Sequence, residues 1–237
     1  MSEAATFTAY DARRGEIETY FDRTAADAWA KLTSDAKVSG IRATVRAGRD
    51  AMRKTLLSWM PADLKGMRIL DAGCGAGQLS IEAARRGADV VAVDVAGTLV
   101  NLARERAQSE TFAGSIDFRT GDMLDRNLGA FDYAVAMDSL IHYDANDIVR
   151  VLEGLAPRIG GAMLFTFAPK TAALSTMHAV GKLFPKGDRA PSIRPAADAG
   201  LRKKIAAADG LKDWTAARSK KISSGFYTSQ AMELRPQ

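Results

Sequence analysis

Three glycines at alternate positions, Gly73, Gly75 and Gly77, follow Asp71 in ILDAGCGAGQL, directly after an apolar run and directly before an Ala-rich amphipathic one. Glycines placed between a strand and a helix allow a tight turn and let backbone N–H groups approach a ligand with no Cβ in the way. A dinucleotide pyrophosphate loop requires G-x-G-x-x-G. Counted from Gly73 the third glycine falls on Gln78, and counted from Gly75 it falls on Ser80, so neither frame carries that fingerprint. A second pattern is Arg42, Arg46, Arg49 and Arg53, spaced four, three and four, which lines one side of a helix with guanidinium groups suited to carboxylates or leaves a solvated face. With one cysteine, Cys74, and two histidines, of which His142 follows an apolar run, the chain has too few soft ligands for a structural zinc site; no resident metal is expected.

These groups need rigid elements behind them, and the middle of the chain supplies alternating short apolar and longer amphipathic runs, the pattern of βαβ units around a parallel sheet. Strands are expected at Arg68–Ala72, Asp89–Asp94, Ile116–Gly121, Tyr133–Met137 and Ala162–Ala168, and helices near Gln78–Arg86, Thr98–Ala107 and Asn146–Leu155. The division that follows is a helical cap and substrate arm over 1–64, an α/β core over 65–169, a lid over 170–196, and a C-terminal helix with the final strands over 197–237. Gly and Pro on both sides of TAALSTMHAVGKLF mark the lid.

The chain has 237 residues, 47% of them hydrophobic and 26% charged, which suits a globular fold with a real core and argues against disorder. A lone cysteine excludes an intramolecular disulfide and points to a reducing, cytoplasmic setting. No targeting segment or membrane span is expected from the sequence. The net charge of +5 is uneven: residues 181–237 hold twelve Lys and Arg against five Asp and Glu. Such an excess suits nucleic acid, an acidic membrane surface or an anionic substrate, or serves solubility alone.

The spacing D-x-G-x-G-x-G from Asp71 resembles the first motif of the class I S-adenosyl-L-methionine (SAM) methyltransferases. The resemblance implies a Rossmann-like fold with a seven-stranded, mostly parallel sheet and helices on both faces. It also implies a loop of Asp71, Gly73, Cys74 and Gly75 that holds the methionine part of the cofactor, Cys74 being a small neighbour rather than a nucleophile. Three further features fall where the strand count puts them. Asp94, with Val95 beside it, ends the second strand where a carboxylate accepts from both ribose hydroxyls, or else caps the next helix. Asp122 and Met123 end the third strand at the adenine edge, and Met137 and Asp138 end the fourth beside the cofactor.

Residues 20–59, MDSLIHY, FAPKTAALSTMHAVGKLFPKGDRAPSIRP and SSGFYTSQAMEL resemble the magnesium-protoporphyrin IX methyltransferases of bacteriochlorophyll synthesis, along nearly the whole chain. The resemblance implies methyl transfer from SAM to one propionate of Mg-protoporphyrin IX, with Mg present only in the substrate and S-adenosylhomocysteine (SAH) as product. A flat apolar plate with two carboxylates wants apolar walls and a few cations. Arg42 and Arg49 are expected to hold the substrate, Arg46 to clamp the methionine carboxylate, and His142 to sit over the methyl site. Oxygenic relatives tend to carry a tyrosine where this chain has Thr33, and Tyr20 is the nearest substitute for a catalytic phenol. A magnesium chelatase large subunit that delivers the porphyrin and weak association with a membrane surface are further partners on this view; nucleic acid is not, since no RNA-binding signature accompanies the basic tail. The cofactor motifs alone also admit a quinone or other small acceptor, an RNA methyltransferase, or a SAM-binding subunit without catalysis.

Overall fold

The computed structural model describes residues 3–23, 40–170 and 191–237. Two helices precede the sheet, α1 (Glu3–Arg23) and α2 (Gly40–Leu57). Then come β1 (Arg68–Ala72), α3 (Gln78–Arg85), β2 (Asp89–Asp94), α4 (Gly97–Gln108), β3 (Ser115–Thr120), β4 (Phe131–Ala136), α5 (Ala145–Leu155) and β5 (Ile159–Phe167). The chain closes with α6 (Asp198–Ala206), β6 (Trp214–Ser224) and β7 (Tyr227–Pro236).

The seven strands form one sheet in the order β3-β2-β1-β4-β5-β7-β6. β1 to β5 pair in parallel, and β7 runs antiparallel to both β5 and β6. Strand side chains alternate between two apolar layers. Leu70, Ala72, Val91 and Val93 face one core with α5 and α6, while Ile69, Val90, Ala92 and Leu164 face the other with α2 and α3. Both faces are covered, so the central strands read as continuous apolar runs, which made them legible in sequence. Helix α5 shows the local logic well: the Asp144 side chain accepts from the N–H groups of Asn146 and Asp147, and Ile148, Val149, Val151, Leu152 and Leu155 are buried behind that cap.

The five expected strands and three expected helices are present, with shifts at their ends. β5 starts at Ile159 rather than Ala162 because Gly160 and Gly161 interrupt the apolar run. A Cβ on Gly161 would stand 2.6 Å from the Asp132 carbonyl oxygen, so the glycine is what lets β5 pass close to β4. β6 lies at the sheet edge with Lys220 and Lys221 exposed, a charged edge that discourages further strand pairing.

The sheet order reverses direction between β1 and β4. The carboxyl ends of β1, β2, β3 and β4 therefore converge beside a crevice, the general ligand position in open α/β sheets. Of the expected lid, Lys170 and Pro191–Ala196 are described and 171–190 lie outside the described residues, as does Thr33. The two ends of that segment are pinned together: the Lys170 N–H donates to the Ala196 carbonyl and the Ala196 N–H to the Ala168 carbonyl, both at 2.9 Å. Arg194 N–H also reaches the Ile141 carbonyl at 2.8 Å, so the segment returns beside His142. Among the described residues, no helix is long and apolar enough to cross a membrane, and no group of acidic, histidine or cysteine side chains is placed to hold a metal ion.

Candidate active site

A pocket open at its mouth lies at the strand ends. Its floor is the glycine loop. Gly73, Gly75 and Gly77 have φ of 86°, 52° and 79°, the left-handed region that glycine enters without strain. At Gly73 a Cβ would collide with the Ser139 side chain, whose hydroxyl is itself anchored on the Ala72 carbonyl at 2.7 Å. The loop N–H groups of Gly73 and Cys74 both donate to the Val93 carbonyl, tying the loop to β2. Cys74 is buried with its thiol pushed up by desolvation, which fits a small wall residue and not a nucleophile.

Asp94 meets this loop from β2. Its Oδ2 accepts the Gly75 N–H at 2.8 Å and its Oδ1 accepts the Ala96 N–H at 2.9 Å. A carboxylate offers about four acceptor lobes, so these two bonds leave acceptor capacity for a ligand hydroxyl. Both expected readings of Asp94, ligand acceptor and local cap, are therefore compatible in one side chain. Asp71, 1% exposed, lies beneath and accepts the Ser80 hydroxyl at 2.5 Å.

Burial, with Asp94 nearby, raises the Asp71 acid from 3.8 to about 7, against the lowering effect of Ser80. Between those values the folded protein keeps a proton that the unfolded chain has released, so this group makes stability fall as pH rises from 3.8 towards 7. Urea unfolding across that window is expected to show a shallower decline for Asp71→Asn than for the parent. Parallel curves would mean that Asp71 ionises normally.

At the third strand end Asp122 is more engaged than the sequence suggested. Oδ1 accepts from the Tyr10 hydroxyl and the Leu124 N–H, both at 2.9 Å, and Oδ2 accepts from Arg14 at 2.6 Å. One lobe of Oδ2 is left for an amine. The effect is to bring α1 over the pocket: Tyr10, Ile17 and Phe21 form its roof, and Tyr10 stacks on Tyr143 with ring centroids 5.3 Å apart. Burial and the Asp122 charge push the Tyr10 and Tyr143 phenols well up, so both stay neutral.

Several expected site residues sit elsewhere. Tyr20 does not line the pocket, because the helical turn that points Ile17 and Phe21 inward rotates it by about 100° from Phe21. Of the arginine stripe, Arg49 and Arg53 reach the pocket; Arg42 is exposed and Arg46 half-buried nearer the start of α2, and neither is in the wall. Asp138 lines the pocket but its carboxylate is taken by protein donors: Arg49 at 2.6 Å, Tyr227 at 3.0 Å, Ser229 at 3.1 Å and Thr166 at 3.2 Å. Its backbone is left-handed, φ 56°, a conformation that costs a non-glycine residue about 1–2 kcal/mol. Gly75, Val95, Met123 and Met137 lie in the wall as expected.

His142 is 7% exposed and lines the pocket, edge-on to Phe21 with centroids 6.2 Å apart. Its Nδ1 has no hydrogen-bond partner among the described residues. Desolvation lowers its pKa, with Arg13 adding to the fall and the Pro191 and Ser192 backbone opposing it, so the ring is neutral at pH 7. Tyr10, Arg14, Tyr143, Tyr227 and Ser229 were missed in sequence. Only the register of Tyr10 with Ile17 and Phe21, seven and four residues apart, carried a signal of a shared inward face.

Comparison with known proteins bears on the same elements. A family model described as "Magnesium-protoporphyrin IX methyltransferase C-terminus" matches residues 136–236, and one described as "Methyltransferase domain" matches residues 69–158. The magnesium-protoporphyrin O-methyltransferase of Rhodobacter capsulatus is 50% identical over 224 residues, covering 94% of this chain and 96% of its own. The one from Synechocystis is 30% identical over 220 residues, covering 92% and 94%. The crystal structure of magnesium protoporphyrin IX methyltransferase from Synechocystis with bound SAH superimposes with a TM-score of 0.81 at 28% identity, covering 93% of this chain and 98% of that one. Half of all positions shared along almost the full length of both chains, on a common sheet, is decisive: this chain belongs to the magnesium-protoporphyrin IX methyltransferase family, built on the class I SAM-dependent methyltransferase fold.

Proposed function

We propose that the strand-end pocket is where this O-methyltransferase joins its two ligands. The enzyme transfers a methyl group from SAM to a propionate carboxylate of Mg-protoporphyrin IX, giving the monomethyl ester and SAH. The observation that carries the site assignment is Asp94, whose Oδ2 pins the glycine loop through the Gly75 N–H while Oδ1 takes the Ala96 N–H, at the pocket wall. That arrangement fits the ribose of SAM, and the wall of Val95, Met123 and the Asp122 lobe fits its adenine. SAM when bound supplies an electrophilic methyl group on a sulfonium.

The remaining chemistry falls to the chain. A propionic acid has a pKa near ~4.3, by analogy with Glu, so the nucleophile is already an anion at pH 7 and needs no base. What the site must do is hold the carboxylate in line and keep water away. Arg49, ion-paired with Asp138, and Arg53, ion-paired with Asp50 at 2.9 Å, place guanidinium N–H donors in the wall for carboxylates, and Tyr10, Ile17 and Phe21 cover the pocket from above. His142, neutral and without a local partner for Nδ1, is the group that aims the substrate. Arg42, two turns before Arg49 on the same stripe of α2, is assigned to the second propionate, and Arg46 to the methionine carboxylate of SAM. Tyr20 is assigned no part in the reaction.

Delivery of the porphyrin by a magnesium chelatase large subunit, and weak attachment to an anionic membrane surface, belong to the same proposal. The basic excess over 181–237 supports the second. The test of the main reading is a visible-absorption titration with Mg-protoporphyrin IX followed by product mass. With SAM present, the porphyrin is expected to gain the mass of one methyl group. Binding without that gain would leave a non-catalytic SAM-binding role, and methylation of a quinone in its place would move the enzyme to the other acceptor class.

A further inference from the structure

We propose that Tyr227 and Ser229, on the final strand, are positioning residues for methyl transfer: through the buried Asp138 carboxylate they hold the Arg49 guanidinium in the pocket wall, where it receives a ligand carboxylate. The inference rests on the functional reading above. The carboxylate has two sources in that reading, the amino-acid end of the cofactor and the propionate of the porphyrin.

The acceptor lobes of Asp138 are spent within the protein. Oδ1 accepts from Tyr227, Ser229 and Thr166, and Oδ2 from Arg49 at 2.6 Å and Tyr227 at 3.2 Å. A carboxylate has about four such lobes, so no capacity remains for the cofactor's ammonium group, and the negative charge serves Arg49. The Asp138 side chain is 5% exposed and that of Arg49 16%, which makes the pair strong enough to set a rotamer. Asp138 is itself held from both ends: its N–H donates to the Thr166 hydroxyl at 2.7 Å while that hydroxyl donates back to its carboxylate.

Two features show that this is a fitted arrangement. β7 pairs with β5 only as far as Gln230, opposite Phe167; Tyr227 and Ser229 run on past the last partner and turn their hydroxyls onto Asp138. And α2 carries a glycine, Gly48, immediately before Arg49. A Cβ there would drive into the Tyr227 ring, 2.8 Å from its Cγ, so the helix is notched to let that ring through to Asp138. Arg49 lies 89 positions before Asp138, and Tyr227 and Ser229 lie 89 and 91 positions after it, yet all three meet at its carboxylate.

Tyr227→Phe keeps the ring in its notch and removes only the hydroxyl; Ser229→Ala removes a second donor with no change of packing. Calorimetry with SAH and with 5′-methylthioadenosine, which has the same nucleoside and sulfur but no amino-acid carboxylate, reads the cofactor arm, and KM for Mg-protoporphyrin IX reads the substrate arm. If Arg49 receives the cofactor carboxylate, Tyr227→Phe weakens SAH about fivefold and leaves 5′-methylthioadenosine unchanged. If it receives the propionate, both nucleosides bind as before and the porphyrin KM rises by about the same factor. Ser229→Ala is expected to follow the same arm with a smaller effect. Equal weakening of SAH and 5′-methylthioadenosine, or no change in all three, overturns the inference and leaves these side chains with a packing role. Failure of the functional reading would look different, since the parent enzyme itself would then leave Mg-protoporphyrin IX unmethylated in the presence of SAM.

Discussion

Asp94→Ala is expected to bind SAM on the order of 10- to 100-fold more weakly than the parent, from the roughly 1.5–3 kcal/mol that hydrogen bonds to a charged acceptor contribute. Two losses combine. The acceptor oxygens that would take the ribose hydroxyls disappear, and so do the Gly75 N–H bond that holds the glycine loop against β2 and the Ala96 N–H bond that fixes the turn after it. Gly75 sits at φ 52°, so nothing in its own side chain restrains it once that contact is gone. Porphyrin binding, read by visible absorption, should change little, and NAD should give no comparable heat with either protein, because the loop lacks the dinucleotide spacing. Unchanged SAM affinity in calorimetry would remove Asp94 from the cofactor site.

The second large effect is expected at His142. A propionate that is already ionised leaves a neutral imidazole two tasks: donating a hydrogen bond that aims the carboxylate, or ligating the open axial position of the substrate's Mg²⁺. Magnesium prefers oxygen ligands, which favours the first. His142→Phe retains the edge contact with Phe21 and the apolar packing, and removes both nitrogens. Misplacing a reacting group by about 1 Å costs on the order of 10²-fold, so kcat/KM should fall by about that factor while SAM affinity stays close to that of the parent. Metal-free protoporphyrin separates the tasks. An aiming residue penalises the metallated and metal-free substrates alike, whereas an axial ligand makes the variant lose its preference for the metallated one. Full activity of His142→Phe on Mg-protoporphyrin IX would return this histidine to a packing role.

Both expectations could be framed from sequence because Asp94 and His142 are placed by local structure. Asp94 ends an apolar strand one turn away from the next helix, and the sheet order then needs no long-range information to bring it beside the Gly73–Gly77 loop. His142 lies in the short turn between β4 and α5, at the same sheet edge. The Asp71–Gly77 motif is legible for a related reason: left-handed backbone selects glycine, so the conformation is written in the residue type.

The sequence by itself determined the five parallel strands and the three helices between them, since burial on both faces gives β1, β2, β4 and β5 apolar runs and the βαβ rhythm places the edge strand β3, whose residues alternate, after α4. Tertiary structure decided the rest. A stripe of four arginines shows which side of α2 is cationic but not how far along its axis the pocket lies, and packing of α2 on β7 put Arg49 and Arg53 there, leaving Arg42 and Arg46 outside the wall. The pitch of α1 relative to the sheet put Tyr10 against Asp122 and left Tyr20, the expected phenol, out of the pocket wall. Asp138, expected beside the cofactor, lines the pocket and also pairs with Arg49, with Tyr227 and Ser229 arriving on its carboxylate from the last strand. Such contacts depend on where whole elements come to rest against one another, and periodicity within an element, which fixes rotation about its own axis, contains no term for that translation.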